Sequence, residues 1–272
     1  MKGPPHRPRR RFGQNFLHDP AVIDRIVRAI NPQPGERLVE IGPGLGALTL
    51  PLLRAAGRLD AIEIDRDVIP QLQANWDGAG ELRLHNLDVL DCDLSLLAEG
   101  RPLRLVGNLP YNISTPLIFH LMEQLPLIRD MHFMLQREVA KRLAAAPGSA
   151  QYGRLGVMVQ LRCKVEPLFS VGAGAFKPAP KVESAVVRLM PHARPLVHVD
   201  DASRFADLVR SAFNQRRKTL RNALKGHLTA EQIAATGIDP GRRPETISLA
   251  EFAALTNAAT KSGSGVKAVL HP

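Results

Sequence analysis

The sequence predicts an α/β protein in which a parallel sheet covered by helices is followed by a small all-α C-terminal domain. Short apolar runs alternate with helical patterns from residue 37 to about residue 190, and only helical patterns follow residue 201. Alternation of this kind favours a parallel sheet with helices on both faces. A chain of 272 residues is long enough for one large domain and one small one.

The elements are predicted in order along the chain. Apolar residues at helical spacing indicate a first helix at 20–30. Five strands are then expected at 37–41, 59–64, 82–86, 103–108 and 130–136. The helices that follow them are expected to end near residue 55 and to cover 66–75, 115–124 and 137–145. Two more strands are expected at one edge of the sheet, where antiparallel pairing is an open alternative, at 155–169 and 184–190.

The C-terminal part has the pattern of a small helical domain. One helix face carries Phe205, Leu208, Val209, Ala212 and Phe213. A capping-box pair, Ser248 with Glu251, opens another helix. The domain limits predicted are a basic arm at 1–11, the α/β domain at 12–192, the helical domain at 200–258 and a disordered tail at 259–272.

The formal net charge of +10, carried by clustered basic residues, favours a nucleic acid partner over a merely well-solvated surface. No apolar run approaches the length of a membrane span, and no secretory signal is expected. Cys92 and Cys163 stand far apart, which fits a reducing, cytoplasmic location and not a disulfide framework. The nine histidines show no metal-ligand spacing.

A glycine loop follows the first predicted strand. Gly42, Gly44 and Gly46 let the backbone approach a ligand at the start of a helix. The dinucleotide-binding fingerprint needs its third glycine one place later, where Ala47 stands. Glu40 precedes the loop and suits an amine-bearing ligand better than a pyrophosphate. The loop therefore favours S-adenosylmethionine over NAD.

Acidic residues follow the next two strands at the same predicted edge. Glu63 lies at the distance at which an acid binds ribose hydroxyls, with Asp65 as the competing candidate. Asp88 follows the third strand and can accept a hydrogen bond from an adenine amino group. Each acid alone could equally be a surface carboxylate, but together with the glycines they predict a nucleoside site.

The fourth strand ends in Asn108-Leu109-Pro110-Tyr111, at the same edge. An exocyclic amine of a base is a poor nucleophile, because its lone pair is delocalised into the ring. The Asn108 side-chain oxygen and the Leu109 carbonyl can hold the amine hydrogens, while Tyr111 stacks on the base. The alternative is an ordinary proline turn with a tyrosine filling a gap. Behind the glycine loop and the acids, the catalytic interpretation is favoured.

These motifs resemble those of adenine-N6 methyltransferases. Further blocks narrow the resemblance to the ribosomal RNA small-subunit adenine dimethyltransferase family: FGQNFL (12–17), MLQREVAKRL (134–143), YGRLGV (152–157), FKPAPKVESAVVRL (176–189) and FNQRRKTLRNAL (213–224). The resemblance implies a Rossmann-like S-adenosyl-L-methionine-dependent methyltransferase domain. It implies two methyl groups on N6 of each of two adjacent adenosines near the 3′ end of small-subunit rRNA. It also implies action during late assembly of the small subunit, and we expect a monomer.

The resemblance also assigns roles. Residues that close over or line the cofactor are expected to be Gln14, Asn15, Leu17, Glu40, Gly42, Gly44, Glu63, Asp88, Val89 and Asn108. The target base is expected to contact Asn108, Leu109, Pro110 and Tyr111. Phe176, in a loop stiffened by Pro178 and Pro180, is expected to present an exposed ring to the other face of the base. A core phenylalanine beside a proline-rich turn is the alternative.

A basic surface is predicted in the helical domain, from Arg216, Arg217, Lys218, Arg221 and Lys225. Three of them, Arg217, Arg221 and Lys225, are expected on one face of a helix, where each can neutralise a phosphate. The alternative is a solvated helix face. Three rival functions stay open: a large-subunit adenine methyltransferase, an RNA-binding assembly factor without turnover, and a small-molecule methyltransferase.

Overall fold

The computed structural model describes residues 15–264, with side chains described through residue 260. This part of the chain forms two compact units, one of residues 15–140 with 164–191 and one of residues 141–163 with 192–264. The first is an α/β unit and the second is helical. The division differs from the predicted limits, because residues 141–163 belong to the helical unit and not to a continuous domain at 12–192.

The α/β unit is built on a seven-stranded sheet. Its strands are β2 (Arg37–Ile41), β3 (Arg58–Ile62), β4 (Glu81–His85), β5 (Leu103–Asn108), β6 (Ile128–Gln136), β7 (Cys163–Val171) and β9 (Ser184–Pro191). They lie in the order β4-β3-β2-β5-β6-β9-β7. Neighbouring strands from β4 to β6 run parallel, and β9 pairs antiparallel with β6. The predicted parallel sheet and its antiparallel edge are confirmed.

The helices of this unit cover a sheet whose central strands are buried nearly throughout, as parallel strands between two helix layers are. They are α1 (Pro20–Ile30), α2 (Thr49–Ala56), α3 (Ile69–Asn75), α4 (Ser95–Ala98), α5 (Ser114–Glu123) and the first part of α6 (Arg137–Leu143). A separate antiparallel pair joins β1 (Phe16–Leu17) to β8 (Phe176–Lys177). This pair brings the residues before α1 to the edge of the sheet where the glycine loop lies.

One predicted element is wrong in its first half. The expected strand at 155–169 is a helix, α7 (Arg154–Arg162), followed by β7. A short run of apolar residues satisfies both a helical and an extended pattern, so local periodicity cannot separate them. Gly156 lets this helix approach the end of α6 closely, since a Cβ there would lie 2.5 Å from the Arg142 carbonyl oxygen.

The helical unit contains α7 and four further helices, α8 (Ala202–Asn214), α9 (Leu220–Ala223), α10 (Ala230–Ala235) and α11 (Leu249–Ser264). Phe205, Leu208, Val209 and Ala212 are fully buried in its core, as predicted. The capping box is confirmed: Ser248 N–H donates to Glu251 Oε2 at 2.7 Å, and Glu251 N–H donates to Ser248 Oγ at 3.2 Å. The disordered tail predicted from residue 259 is wrong as far as Ser264, where α11 ends.

Within residues 15–264 the longest helices are too short or too polar to cross a membrane.

Candidate functional site

A cavity of about 430 Å³ opens at the carboxyl ends of β2, β3 and β5, the edge at which open α/β sheets bind ligands. Its volume suits a small molecule of cofactor size. The predicted residues that line it are Asn15, Leu17, Glu40, Gly42, Gly44, Glu63, Asp88, Val89, Asn108, Leu109, Pro110 and Tyr111. Gln14 and the basic arm at 1–11 lie outside the described residues.

The glycine loop adopts backbone that other residues rarely reach. Gly42 and Gly44 have φ angles of +68° and +55°, in the left-handed region that favours glycine. A Cβ on Gly44 would approach the Phe16 ring to 3.2 Å. The Gly44 N–H points back to Glu63 and donates to its Oε2 at 3.3 Å. The loop thus presents backbone without side chains to the cavity, next to the carboxylate of Glu63.

Glu40 is a buried carboxyl with an unsatisfied oxygen in the cavity wall. It is 2 % exposed, and its Oε2 has no hydrogen-bond partner among the described residues. Burial, together with the nearby charge of Glu63, raises the pKa of Glu40 to about 7. The Thr49 hydroxyl opposes this shift, although its Oγ1 makes no hydrogen bond of good geometry. A cationic ligand group would satisfy this carboxylate.

The same burial makes Glu40 a source of pH-dependent instability in the ligand-free protein. Its folded pKa of about 7 exceeds the unfolded value of 4.5, so the folded state holds the proton more tightly. The free energy of unfolding should therefore fall as pH rises from about 4.5 to 7, by an amount on the order of 3 kcal/mol. Glu40→Gln should be more stable than the parent at pH 8 and equally stable at pH 4.5. Denaturant titrations at the two pH values measure this, and an equal stability difference at both would contradict it.

Glu63, and not its competitor Asp65, faces the cavity. Burial raises the pKa of Glu63, against hydrogen bonds from the backbone of Asp65 and Gly44 that favour the carboxylate. Asp65 is absent from the cavity wall, and its Oδ1 accepts the N–H of Asp67 inside a turn. The carboxylate of Glu63 is held by N–H donors on both oxygens and is oriented before any ligand enters.

The adenine-binding end of the predicted site has apolar walls. Val89 is buried there, and Asp88 begins the same turn by accepting the Leu90 N–H at 3.0 Å. Ile64 was missed by the sequence reasoning; it lines the cavity with 46 % of its surface exposed. The sequence did contain a sign of this role. Ile64 is an apolar residue directly after the predicted ribose-binding acid, at a strand end where a solvent-exposed polar residue would be expected.

The Asn108–Tyr111 turn is fixed by the sheet below it. The Leu109 N–H donates to the Met134 carbonyl at 3.1 Å, and the Leu109 side chain is buried. Asn108 Nδ2 donates to the Asn15 carbonyl at 3.1 Å, which turns the side-chain oxygen into the acceptor left for a ligand. Gly107 is required just before the turn, since a Cβ there would lie 2.5 Å from the Ile41 carbonyl oxygen.

The expectation that Phe176 presents an exposed ring is wrong. The ring is 3 % exposed and packs in the core of the α/β unit with Leu17, Met134 and Val186. Pairing of β8 with β1, with Phe176 opposite Leu17, directs it inward. Lys177, the next residue along β8, lines the cavity instead. The core-phenylalanine alternative therefore describes this structure.

The basic residues of the helical unit do not share one helix face. Arg217 and Lys218 lie in the turn after α8, Arg221 lies in the short α9 and Lys225 follows α9. All four are exposed. Arg216 differs, because its Nε donates to Glu245 at 2.8 Å and its Nη2 donates to the Ala150 carbonyl at 2.7 Å. The helix predicted to carry Arg217, Arg221 and Lys225 together is wrong, because residues 215–219 are not helical and α9 covers only Leu220–Ala223.

Comparison with solved structures supports the fold. A dimethyladenosine transferase from Plasmodium falciparum is 27 % identical, with a TM-score of 0.76, and the match covers 91 % of this chain and 98 % of that one. The 23S rRNA methyltransferase ErmE is 25 % identical, with a TM-score of 0.72 and coverage of 90 % and 100 %. The α/β unit is thus a Rossmann-like methyltransferase fold.

Sequence relatives are closer. The ribosomal RNA small subunit methyltransferase A of Nitrosococcus oceani is 60 % identical over 252 residues, which cover 92 % of this chain and 96 % of the relative. The model of the family described as "Ribosomal RNA adenine dimethylase" matches residues 5–261. The chain therefore belongs to the ribosomal RNA adenine dimethylase family, enzymes that use S-adenosyl-L-methionine as the methyl donor.

Proposed function

We propose that this enzyme transfers methyl groups from S-adenosyl-L-methionine to N6 of two adjacent adenosines near the 3′ end of small-subunit rRNA, giving N6,N6-dimethyladenosine. The observation that carries the proposal is the turn at Asn108. Its side-chain nitrogen is engaged by the Asn15 carbonyl, so its oxygen and the Leu109 carbonyl are the acceptors at the end of β5. Two acceptors are what an aromatic amine needs before it can act as a nucleophile.

The chemistry assigned to this chain is positioning and polarisation. The Asn108 oxygen and the Leu109 carbonyl accept the two N6 hydrogens, which localises the nitrogen lone pair. Pro110 stiffens the turn, and Tyr111 stacks on the base. When bound, the cofactor supplies an activated methyl group on a sulfonium. Each transfer would form an N6–C bond as the sulfonium C–S bond breaks, and one N6 proton would then pass to solvent. No strong general base is required, because orientation and electrostatic stabilisation act on an already reactive donor.

Different residues of the cavity wall suit different chemical groups of the cofactor. The unsatisfied Glu40 carboxylate suits the ammonium group, the oriented Glu63 suits the ribose hydroxyls, and Asp88 suits the adenine amino group. Bare backbone at Gly42 and Gly44 allows close approach. Val89 and Ile64 provide apolar contact for the adenine. Asn15, just before β1, and Leu17, within it, also line the cavity.

The choice of small-subunit over large-subunit rRNA rests on similarity. The small-subunit methyltransferase of Nitrosococcus oceani is 60 % identical, against 25 % for the 23S enzyme ErmE. We place the enzyme in the cytoplasm, acting as a monomer on a late assembly intermediate of the small ribosomal subunit. The net charge of +10 favours such a polyanionic partner.

The exposed basic residues of the helical unit supply the RNA contact in this proposal. Arg216 pairs with Glu245, whereas no ion pair within residues 15–260 engages the exposed set Arg217, Lys218, Arg221 and Lys225. Each cation that neutralises a phosphate releases counterions, so binding should depend steeply on salt.

Removing three of these charges should flatten the salt dependence of binding to small subunits. The triple variant Arg217→Gln, Arg221→Gln, Lys225→Gln should lower the slope of log Kd against log salt by about 2 to 3. The matched control removes three exposed arginines paired with aspartates, Arg28, Arg54 and Arg210. Filter binding at several salt concentrations measures both. An equal change in the two triple variants would show a general charge effect and no specific surface.

The function itself is tested by transfer of labelled methyl from S-adenosyl-L-methionine to small subunits that lack the modification, with large-subunit RNA alongside. About four methyl groups per small subunit are expected, two on each of two adenosines. Label only on large-subunit RNA would assign the enzyme to the ErmE type of reaction. Tight subunit binding without transfer would favour an assembly factor that does not turn over.

A further inference from the structure

Tyr111 is held at two points, and one of them is a buried serine with no role assigned so far. The Tyr111 hydroxyl lies 2.8 Å from Ser184 Oγ. At the other end of the residue, Ser114 Oγ donates to the Tyr111 carbonyl at 3.2 Å. The ring itself is half-buried and lines the cavity. The aromatic wall of the site is therefore tied to the sheet through a single side-chain oxygen.

Ser184 is placed to act as a rigid anchor. It is fully buried at the start of β9, where it pairs with Gln136 in the antiparallel ladder. The preceding carbonyl, of Glu183, accepts the Arg137 N–H at 2.9 Å, so the backbone is fixed on both sides. A buried hydroxyl without a partner is costly, and Tyr111 is the partner found for it among the described residues.

We propose that Ser184 is a positioning residue, which holds the tip of the Tyr111 ring in place for the target adenine through the hydrogen bond between the two hydroxyls. The inference rests on the proposed function for its substrate. A flipped base needs a stacking face whose position is set before the base arrives, since ordering it afterwards costs binding energy. Without the hydrogen bond to Ser184, rotation about the Cα–Cβ bond would move the hydroxyl end of the Tyr111 ring.

The anchor matters most in the second methyl transfer. An unmodified adenine offers two N6 hydrogens to the Asn108 oxygen and the Leu109 carbonyl, whereas the monomethylated base offers one. Stacking then carries a larger share of the orientation. Loss of the Ser184 hydroxyl should slow the second transfer more than the first, and N6-monomethyladenosine should accumulate.

The test compares Ser184→Ala, Tyr111→Phe and the double variant on small subunits that lack the modification, with the two product nucleosides quantified by mass spectrometry. Each single variant should slow the second transfer by about 3- to 10-fold, the worth of one hydrogen bond. The double variant should be no slower than the worse single. Cofactor Kd should stay unchanged. Ser211→Ala, which removes a serine hydroxyl bonded to His227 Nε2 at 2.9 Å in the helical unit, is the control and should behave as the parent.

Additive effects, an unchanged product ratio, or a Ser184→Ala variant that matches Ser211→Ala would overturn the proposal. A second measurement needs no substrate. The chain has two tyrosines, so ring signals in ¹³C-tyrosine NMR spectra are assigned by Tyr111→Phe. Ser184→Ala should shift the Tyr111 ring signals and leave those of Tyr152 in place; unmoved Tyr111 signals also overturn the role of Ser184. Absence of methyl transfer by the parent enzyme would instead count against the proposed function.

Discussion

Asn108→Ala is expected to reduce methyl transfer by at least about 100- to 1000-fold, the usual cost of removing one preorganised polar group from a reacting centre. The side-chain oxygen is the acceptor that localises the N6 lone pair, and alanine has no substitute for it. The loss should appear in the rate constant of a single turnover at saturating subunit concentration. Binding of small subunits should change little, since the exposed cations of the helical unit are intact.

The matched control is Asn112→Ala, which removes an amide from the same cavity wall at an exposed position. It should retain most of the parent's activity. If both variants lose activity equally, the effect is a general disturbance of the turn and the role of Asn108 is wrong. Asn108→Ala also removes the hydrogen bond from Asn108 to the Asn15 carbonyl, which holds residues of the cavity wall. Titration with the cofactor therefore shows whether activity is lost through weaker cofactor binding and not through the loss of the acceptor.

Asn108→Asp tests whether the acceptor at this position has to be uncharged. A carboxylate keeps an acceptor oxygen but cannot donate to the Asn15 carbonyl, 3.1 Å away in the parent. A charged acceptor should also release the amine less readily between the two transfers. The variant should therefore form less dimethylated product. Dimethylation equal to the parent's would contradict the idea that a neutral amide is needed.

Motifs at strand ends could be predicted because their placement follows from topology. Parallel strands bring their carboxyl ends to one edge, so Gly44, Glu63, Asp88 and Asn108 were expected together before any contact was known. The choice of Glu63 over Asp65 could not be made from the sequence, since it depends on the direction in which each carboxylate leaves the loop. The structure places only Glu63 in the cavity wall.

Errors arose where tertiary packing overrides a local pattern. The loop composition around Phe176 suggested an exposed ring, but pairing with Leu17 turns that ring into the core. The basic run at 216–225 has helical spacing, yet its first residues lie in a turn and α9 covers only four residues. The role of Ser184 could not be predicted for a related reason, because its hydrogen-bond partner Tyr111 is 73 residues earlier in the chain.

The buried cation Arg104 sets the largest expected change in stability. It is 4 % exposed in β5 and pairs with Asp130 at 3.0 Å and Glu36 at 2.6 Å. Its Nη2 also donates to the Ile30 carbonyl at 2.6 Å, where α1 ends. Arg104→Met preserves the volume but removes the guanidinium from both acids. Asp130 is then left with the longer contacts to His132 at 3.5 Å and Arg188 at 3.7 Å. Breaking a buried pair in this way costs about 3 to 5 kcal/mol.

Arg129→Met is the control for this change. Arg129 bonds the other oxygen of Glu36 at 2.6 Å, but its side chain is 56 % exposed. An exposed pair contributes little, so its loss should cost less than about 1 kcal/mol. The single tryptophan, Trp76, packs against the core of the α/β unit, and its fluorescence during denaturant unfolding reports on that unit. Equal losses in the two variants would show that burial of Arg104 adds nothing.

The pH dependence of unfolding tests whether the charge of Asp130 causes the loss of stability in Arg104→Met. Burial alone would raise the pKa of Asp130, but the nearby imidazole of His132, 3.5 Å away, and the charge and hydrogen bonds of Arg104 outweigh it and hold that pKa at about 2. Because this is below the unfolded value of 3.8, Asp130 stabilises the parent above about pH 4, and that contribution is lost as pH falls towards 2. In Arg104→Met the buried carboxylate keeps His132 and Arg188 at 3.5 and 3.7 Å but loses the guanidinium, so its pKa should lie above that of the parent. Acid should therefore weaken the variant less than it weakens the parent, and the stability gap between them should narrow on acidification. A gap that stays constant from pH 7 to pH 3 would mean that lost packing, and not the lost charge beside Asp130, destabilises the variant.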